Sequence, residues 1–124
     1  MEKEALTLHY EINLPTLNEY IDAERTNKIL ASKAKRKFTQ YIMLETIAQC
    51  KAKLSGMHDV DVTWYRNNKK HDADNVYFGI KFILDGIVAA KVIPGDDRKV
   101  IRDISHHIRH DEKNSILLTF TRVK

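Results

Sequence analysis

Residues 5–14 alternate without a break: Leu6, Leu8, Tyr10, Ile12 and Leu14 are apolar, while Thr7, His9, Glu11 and Asn13 are polar. A period of two sends successive side chains to opposite faces, so this segment is expected to be a half-buried strand. Pro15 is expected to end it, because proline has no N–H to give to a ladder. Thr16 then offers an N-cap for a short helical start at Leu17, Asn18, Glu19 and Tyr20. Over residues 26–53 the period lengthens. Leu30, Ala34, Phe38, Tyr41, Leu44 and Ala48 recur every three or four positions, which predicts a helix with these residues on one face. Lys33, Arg36, Lys37 and Gln40 fall on its other side, and Gly56 stands where a helix stop is expected.

A second strand is expected over 60–66, with Val62 and Trp64 sharing a face. The run Asn67-Asn68-Lys69-Lys70-His71 is polar and turn-like. Residues 76–90 then read as one helix. Val76, Phe78, Ile80, Phe82, Ile83, Leu84 and Ile87 place apolar groups nearly all round it, so it should be buried on most sides. Pro94-Gly95-Asp96-Asp97 is a turn. Two closing strands, 99–109 and 115–123, are joined by His110-Asp111-Glu112-Lys113-Asn114, which reads as a hairpin loop. No repeat, low-complexity tract or linker interrupts the chain. The expected fold is a single α+β domain spanning 1–124, a small mixed sheet of about four strands packed against two main helices.

Composition narrows the class. With 124 residues, 43% hydrophobic and 31% charged, the chain can build one modest core, which argues against disorder. A single cysteine, Cys50, cannot form an internal disulfide; it favours a reducing, intracellular setting and reads as a small apolar residue on the helix. No apolar run approaches the roughly 20 residues needed to cross a bilayer. Met1-Glu2-Lys3-Glu4 lacks the basic and apolar regions of a signal peptide, so the expected location is the cytoplasm. Lys and Arg exceed Asp and Glu by 21 to 17, a formal charge of +4 that leans only modestly toward a polyanionic partner. Placement says more. Positive charge gathers at 33–37 and 66–70 and acids at 72–74 and 96–97, an acidic centre in a basic frame. An enzyme acting on phosphodiesters needs that arrangement.

Asp72 and Asp74 stand two apart just ahead of the helix, and in extended chain side chains at i and i+2 point the same way. The helix start tolerates clustered carboxylates through its free N–H groups. Asp74 or Asn75 as an N-cap would explain one acid but not both. Lys81 and Asp85 lie seven and eleven residues after Asp74. At about 100° per residue both offsets return close to the starting face, so the three are expected to line one stripe. The plainer account of Lys81 and Asp85 is an i,i+4 ion pair. Asp96-Asp97 alone is a turn; with the earlier acids it can supply a third carboxylate for a hard divalent ion. Such an ion would polarise a phosphate and help generate hydroxide, and a neighbouring lysine would neutralise developing charge or orient the water.

The run Asp72-Ala73-Asp74-Asn75, the helical Lys81 and Asp85, and Asp96-Asp97 before a strand together resemble the RusA family of Holliday junction resolvases, in a phage- or prophage-like variant. Leu14-Pro15 followed by Asn18-Glu19-Tyr20 is similar to the family's opening segment. The likeness spans most of the chain. It departs in one place: Lys81 comes about two turns after Asp-x-Asp-Asn, where the best-known members have their lysine about one turn after. The resemblance implies a Mg²⁺-dependent endodeoxyribonuclease, with Mn²⁺ as a substitute, acting as a homodimer. It would make paired symmetric nicks across a four-way junction in DNA recombination and repair. By that resemblance Asp72, Asp74 and Asp97 carry the metal, Lys81 is the supporting base or charge-neutralising group, and Asp85 and Asp96 are accessory. No small-molecule cofactor and no membrane are expected.

Other features weigh less. His106 and His107 are neighbours in a strand and point to opposite faces, so a shared metal is disfavoured; His71, beside the acids, can contact phosphate or act as an ordinary loop residue. Asn68, Lys69 and Lys70 are placed to grip phosphates flanking a cut. Lys33, Arg36 and Lys37 form either a solvated face or a contact with DNA backbone. Trp64 and Tyr65 read as core and edge of the second strand. Two alternatives stand beside junction resolution: a nuclease for other branched DNA such as flaps or forks, and a catalytically silent DNA-binding or phage module.

Overall fold

The computed structural model describes residues 5–124, so the reading made of Met1-Glu2-Lys3-Glu4 lies outside the described residues. The elements run β1 (Ala5–Tyr10), α1 (Leu17–Thr26), α2 (Lys28–Gln49), β2 (His58–Arg66), α3 (Ala73–Tyr77), α4 (Ile80–Ala89), β3 (Ile101–His110) and β4 (Ser115–Arg122). The strands form one mixed sheet in the order β1-β4-β2-β3. β4 pairs antiparallel with both β1 and β2, while β2 and β3 are parallel. The α+β class with a four-stranded mixed sheet is therefore as the sequence predicts.

Alternation decides what the sheet buries. Leu8 and Tyr10 of β1, Val60, Val62 and Trp64 of β2, and Ile116, Leu118 and Phe120 of β4 are all buried. They share one core with Ile42 of α2 and Phe82, Ile83 and Ile87 of α4. Full burial of a side chain of this size contributes about 1.5–3 kcal/mol relative to leaving it in water. The Tyr10 hydroxyl is accommodated by Thr46 Oγ1 at 2.6 Å, and Thr46 in turn donates to the Ile42 carbonyl at 2.7 Å.

Several expected boundaries move. The β1 ladder stops at Tyr10, not at Pro15, because Tyr10 faces Ile116 and the partner strand begins only one residue earlier, at Ser115. Leu14 stays buried all the same. Thr16 does cap a helix, through a full capping box: its Oγ1 accepts from Glu19 N–H at 3.3 Å, and its own N–H donates to Glu19 Oε1 at 2.9 Å. That helix, α1, runs to Thr26. Asn27 closes it and starts α2, its Oδ1 accepting from Ile29 and Leu30 N–H at 3.1 Å. α2 ends at Gln49, short of residue 53, and buried Cys50 is its extended cap. Gly56, at φ +84°, serves the approach to β2, not the helix end; the left-handed region is open to glycine at no steric cost.

The buried face of α2 is also rotated from expectation. Ala31, Phe38, Ile42 and Thr46 turn inward, whereas Leu30, Ala34, Leu44 and Ala48 are exposed. The cause lies on α4: a Cβ at Gly86 would fall 2.6 Å from Cβ and Cγ2 of Ile42. The two helices approach so closely there that Ile42 must face α4, which carries the Leu30–Leu44 stripe outward.

The closing strands are not a hairpin. β2 lies between them, so β3 and β4 flank it on opposite sides. The loop crosses the end of β2 on hydrogen bonds from Asp111 N–H to the Arg66 carbonyl at 3.0 Å and from Asn67 N–H to Asn114 Oδ1 at 2.8 Å. Neighbouring strands are only about 4.8 Å apart, so a short loop can step over one.

Candidate functional site

All the acids singled out from the sequence fall in the crossover 67–100, which carries the chain from β2 through α3 and α4 to its parallel neighbour β3. The helix expected over 76–90 is in fact two. α3 stops at Tyr77 and α4 starts at Ile80, with Gly79 between them as the N-cap of α4. A Cβ at Gly79 would meet the Trp64 ring at 3.1 Å and Leu14 at 3.2 Å, so the junction presses its backbone against the sheet. Phe78 and Gly79 both keep right-handed helical dihedrals, and N–H groups of Gly79 and Lys81 donate to the Val76 and Phe78 carbonyls at 3.2 Å, so the chain passes from α3 to α4 through a tightened turn. The apolar positions remain as expected, and four of them on α4, Phe82, Ile83, Leu84 and Ile87, are buried.

Asp72 is the N-cap residue of α3, with φ −65° and ψ 153°, yet its side chain makes no cap hydrogen bond. Neither Asp74 nor Asn75 is the cap. Asp74 lies in the first turn, its Oδ1 accepting from Asn75 N–H at 3.0 Å. Asp97 builds the turn into β3: Oδ1 accepts from Lys99 N–H at 2.9 Å, and its carbonyl accepts from Val100 and Ile101 N–H at 3.0 and 2.9 Å. Asp72, Asp74 and Asp97 are exposed, and among the described residues none of the three takes part in an ion pair.

Lys81 is where separate segments meet. Its Nζ lies 3.4 Å from Asp85 Oδ1, the expected i,i+4 pair, and 3.6 Å from Asp96 Oδ2, across from the turn before β3. The Asp85 carboxylate first, and Asp96 after it, push the Lys81 ammonium above its ordinary 10.5. Lys81 is therefore a fixed cation at neutral pH.

The structure thus gathers Lys81, Asp85 and Asp96. Among the described residues no three His, Cys, Asp or Glu side chains form a group that could hold a metal ion. Asp72, Asp74 and Asp97 offer the hard oxygen donors that Mg²⁺ prefers, but in this arrangement they do not make a three-donor site.

The basic frame divides in two. Asn68 and Lys69 line a cleft together with Asp72, joined there by Arg66 and His71; Lys70 is exposed beside them, its N–H donating to Asn68 Oδ1 at 3.0 Å. Arg66 opens the basic run 66–70 and is also the last residue of β2, which places it at the mouth of this cleft. Lys33, Arg36 and Lys37 are exposed on α2, a separate element. His106 and His107 do point to opposite faces. His106 Nδ1 accepts from Trp64 Nε1 at 3.0 Å, while His107 Nε2 lies 2.8 Å from Asp61 Oδ1. Trp64 is a core residue, as expected. No helix among the described residues is long and apolar enough to cross a membrane. No protein-family model matches the chain, and no curated protein matches it.

Proposed function

We propose that the chain is a nuclease for branched DNA, resolving four-way junctions by paired symmetric nicks in recombination and repair, as its resemblance to the RusA family implies. The observation that carries this reading is the meeting of Lys81 and Asp85 with Asp96, which brings two distant parts of that resemblance to one surface point. A protein that merely gripped DNA would have little use for three further unpaired carboxylates in the same crossover, because clustered negative charge repels phosphate. Lys81, more than half exposed at 56%, can neutralise charge developing on a phosphate oxygen. Asp72 and Asp74 on one side and Asp97 on the other are the residues proposed to hold Mg²⁺, or Mn²⁺ in its place. The ion would supply Lewis-acid activation of the phosphate. Among the described residues the three carboxylates do not form a three-donor group.

The lack of a three-donor group favours a second reading, a catalytically silent DNA-binding module. One experiment separates the two. Synthetic four-way junction, flap and linear duplex are incubated with the protein, with and without Mg²⁺, and the products are mapped. Paired nicks in the junction that need Mg²⁺ support the nuclease reading; cuts in flaps alone redirect it to other branched substrates. Binding without cleavage of any substrate leaves the silent module.

Paired nicking calls for a two-fold homodimer. The outer side of α2 offers apolar area for one: Ile29, Leu30, Leu44 and Ile47 are between 45% and 70% exposed.

A further inference from the structure

The cleft beside Asp72 has a shape and chemistry that phosphate gripping alone does not require. It encloses about 320 Å³ between the end of β2 and the start of α3, at the small end of the roughly 300–1,000 Å³ typical of ligand pockets. Its polar wall carries Arg66, Lys69 and His71. Its apolar wall is Val76 and Ile108, with Ala73 at the edge. Arg66 uses Nη1 to donate to Asn13 Oδ1 at 3.2 Å, which orients the guanidinium and leaves other N–H groups of its fork to a ligand. Negative charge is present too: Asp72 lines the cleft, and Glu19 of α1 faces both His71 and Arg66. For a bare anion that opposition offsets part of the attraction of Arg66 and Lys69, and it makes no use of the apolar wall. A ligand that sets an apolar body against Val76 and Ile108 while its phosphate reaches Arg66 and Lys69 gains from both walls.

We infer that this cleft holds one unpaired nucleotide of a DNA strand. The phosphate lies against Arg66, Lys69 and His71, and the sugar or base lies against Val76 and Ile108. A paired, stacked nucleotide cannot present its face to a wall of this kind, so the site selects a nucleotide that has left the duplex. Such nucleotides are plentiful where strands exchange or part. The choice of a strand as the source rests on the nucleic-acid reading above; the cleft chemistry does not.

The test follows the Val76 and Ile108 methyl resonances of the full chain on addition of thymidine 5′-monophosphate, a five-residue oligothymidylate or inorganic phosphate. Saturable shifts with the nucleotide and the oligonucleotide are expected, with inorganic phosphate binding about tenfold more weakly. Exposed Lys69→Ala should weaken nucleotide binding about tenfold. Ala73→Leu, which fills the cleft from an exposed position, should abolish the shifts while the rest of the spectrum stays folded. Equal affinity for phosphate and nucleotide, no saturable shift at the two methyls, or unchanged affinity in folded Ala73→Leu overturns the nucleotide site. Tight binding of the free nucleotide without the oligonucleotide overturns the strand as its source. Junction cleavage by the unsubstituted chain is scored separately: cleavage without saturable nucleotide binding removes the cleft alone, and nucleotide binding without cleavage removes the nuclease reading alone.

Discussion

Trp64 donates its indole N–H to Nδ1 of His106 at 3.0 Å, tying the core face of β2 to that of β3. The bond requires a neutral Nδ1, so it fixes the tautomer with hydrogen on Nε2. Tyr77 stacks on the same imidazole with ring centroids 4.3 Å apart and planes 15° from parallel, so the end of α3 rests on this pair. Burial, and after it the nearby His107, hold His106 below its ordinary 6.5, while Asp61 acts the other way.

A histidine whose folded value is lowered contributes its stability in full above the unfolded value. That contribution is lost as pH falls through 6.5 toward the folded value. The melting temperature should therefore drop between pH 7 and 5, and His106→Gln should flatten that part of the profile. A variant with the same slope as the parent would place the titration elsewhere.

Lys81→Ala should lower junction cleavage about a hundredfold, as loss of one charge-stabilising donor does elsewhere. Its ion pairs are exposed, so thermal stability should change by no more than about 1 kcal/mol. Because the folded value of Lys81 is raised, whatever stability it adds is complete below 10.5 and fades only as pH rises past it. Activity near neutral pH should accordingly show no limb that disappears with Lys81. Melting curves and a pH–rate profile on the same preparations check both statements.

Asp74→Asn should reduce cleavage at least about a hundredfold yet leave junction affinity equal or higher, since one less negative charge faces the phosphates. Gel-shift and cleavage assays run side by side decide it; equal cleavage would remove Asp74 from the chemistry.

Gly86→Ala should destabilise the fold by about 3 kcal/mol. The added methyl would meet Ile42 at 2.6 Å and the Thr39 carbonyl at 2.9 Å, and neither is a flexible chain end. Chemical denaturation gives the number directly.

Leu30→Asp tests the proposed homodimer. The residue is 61% exposed, so the folded chain should tolerate the charge while a two-fold contact through α2 should not. Light scattering should show a dimer for the parent and a monomer for the variant, with melting of the monomer little changed.

The strands were legible because a period of two has one interpretation: Leu8 and Tyr10, or Val62 and Trp64, can only share a face. α2 was harder because its sequence carries two apolar stripes, and the choice between them is made by Gly86 on another helix. Nothing near Leu30 or Ile42 in the chain reveals that. The break at Gly79 was similarly hidden, since it answers the bulk of Trp64 from a different element. A short polar loop between two expected strands suggested a hairpin, and local sequence does not say that β2 will occupy the place between them. For the site, residue types were legible while grouping was not. Asp85 and Asp96, expected to be accessory, are the partners Lys81 holds, and the cleft shared by Arg66 and Asp72 exists only because the end of β2 meets the start of α3.

The parallel pairing of β2 with β3 has a kinetic consequence. Val60 finds its partner only at Ile104, after α3, α4 and both acidic turns have been laid down. Closing so distant a ladder carries a loop-entropy cost that local contacts do not share, so it belongs among the slower steps of folding. Until it closes, the crossover that carries Lys81 and Asp96 is fixed to the sheet only at its β2 end.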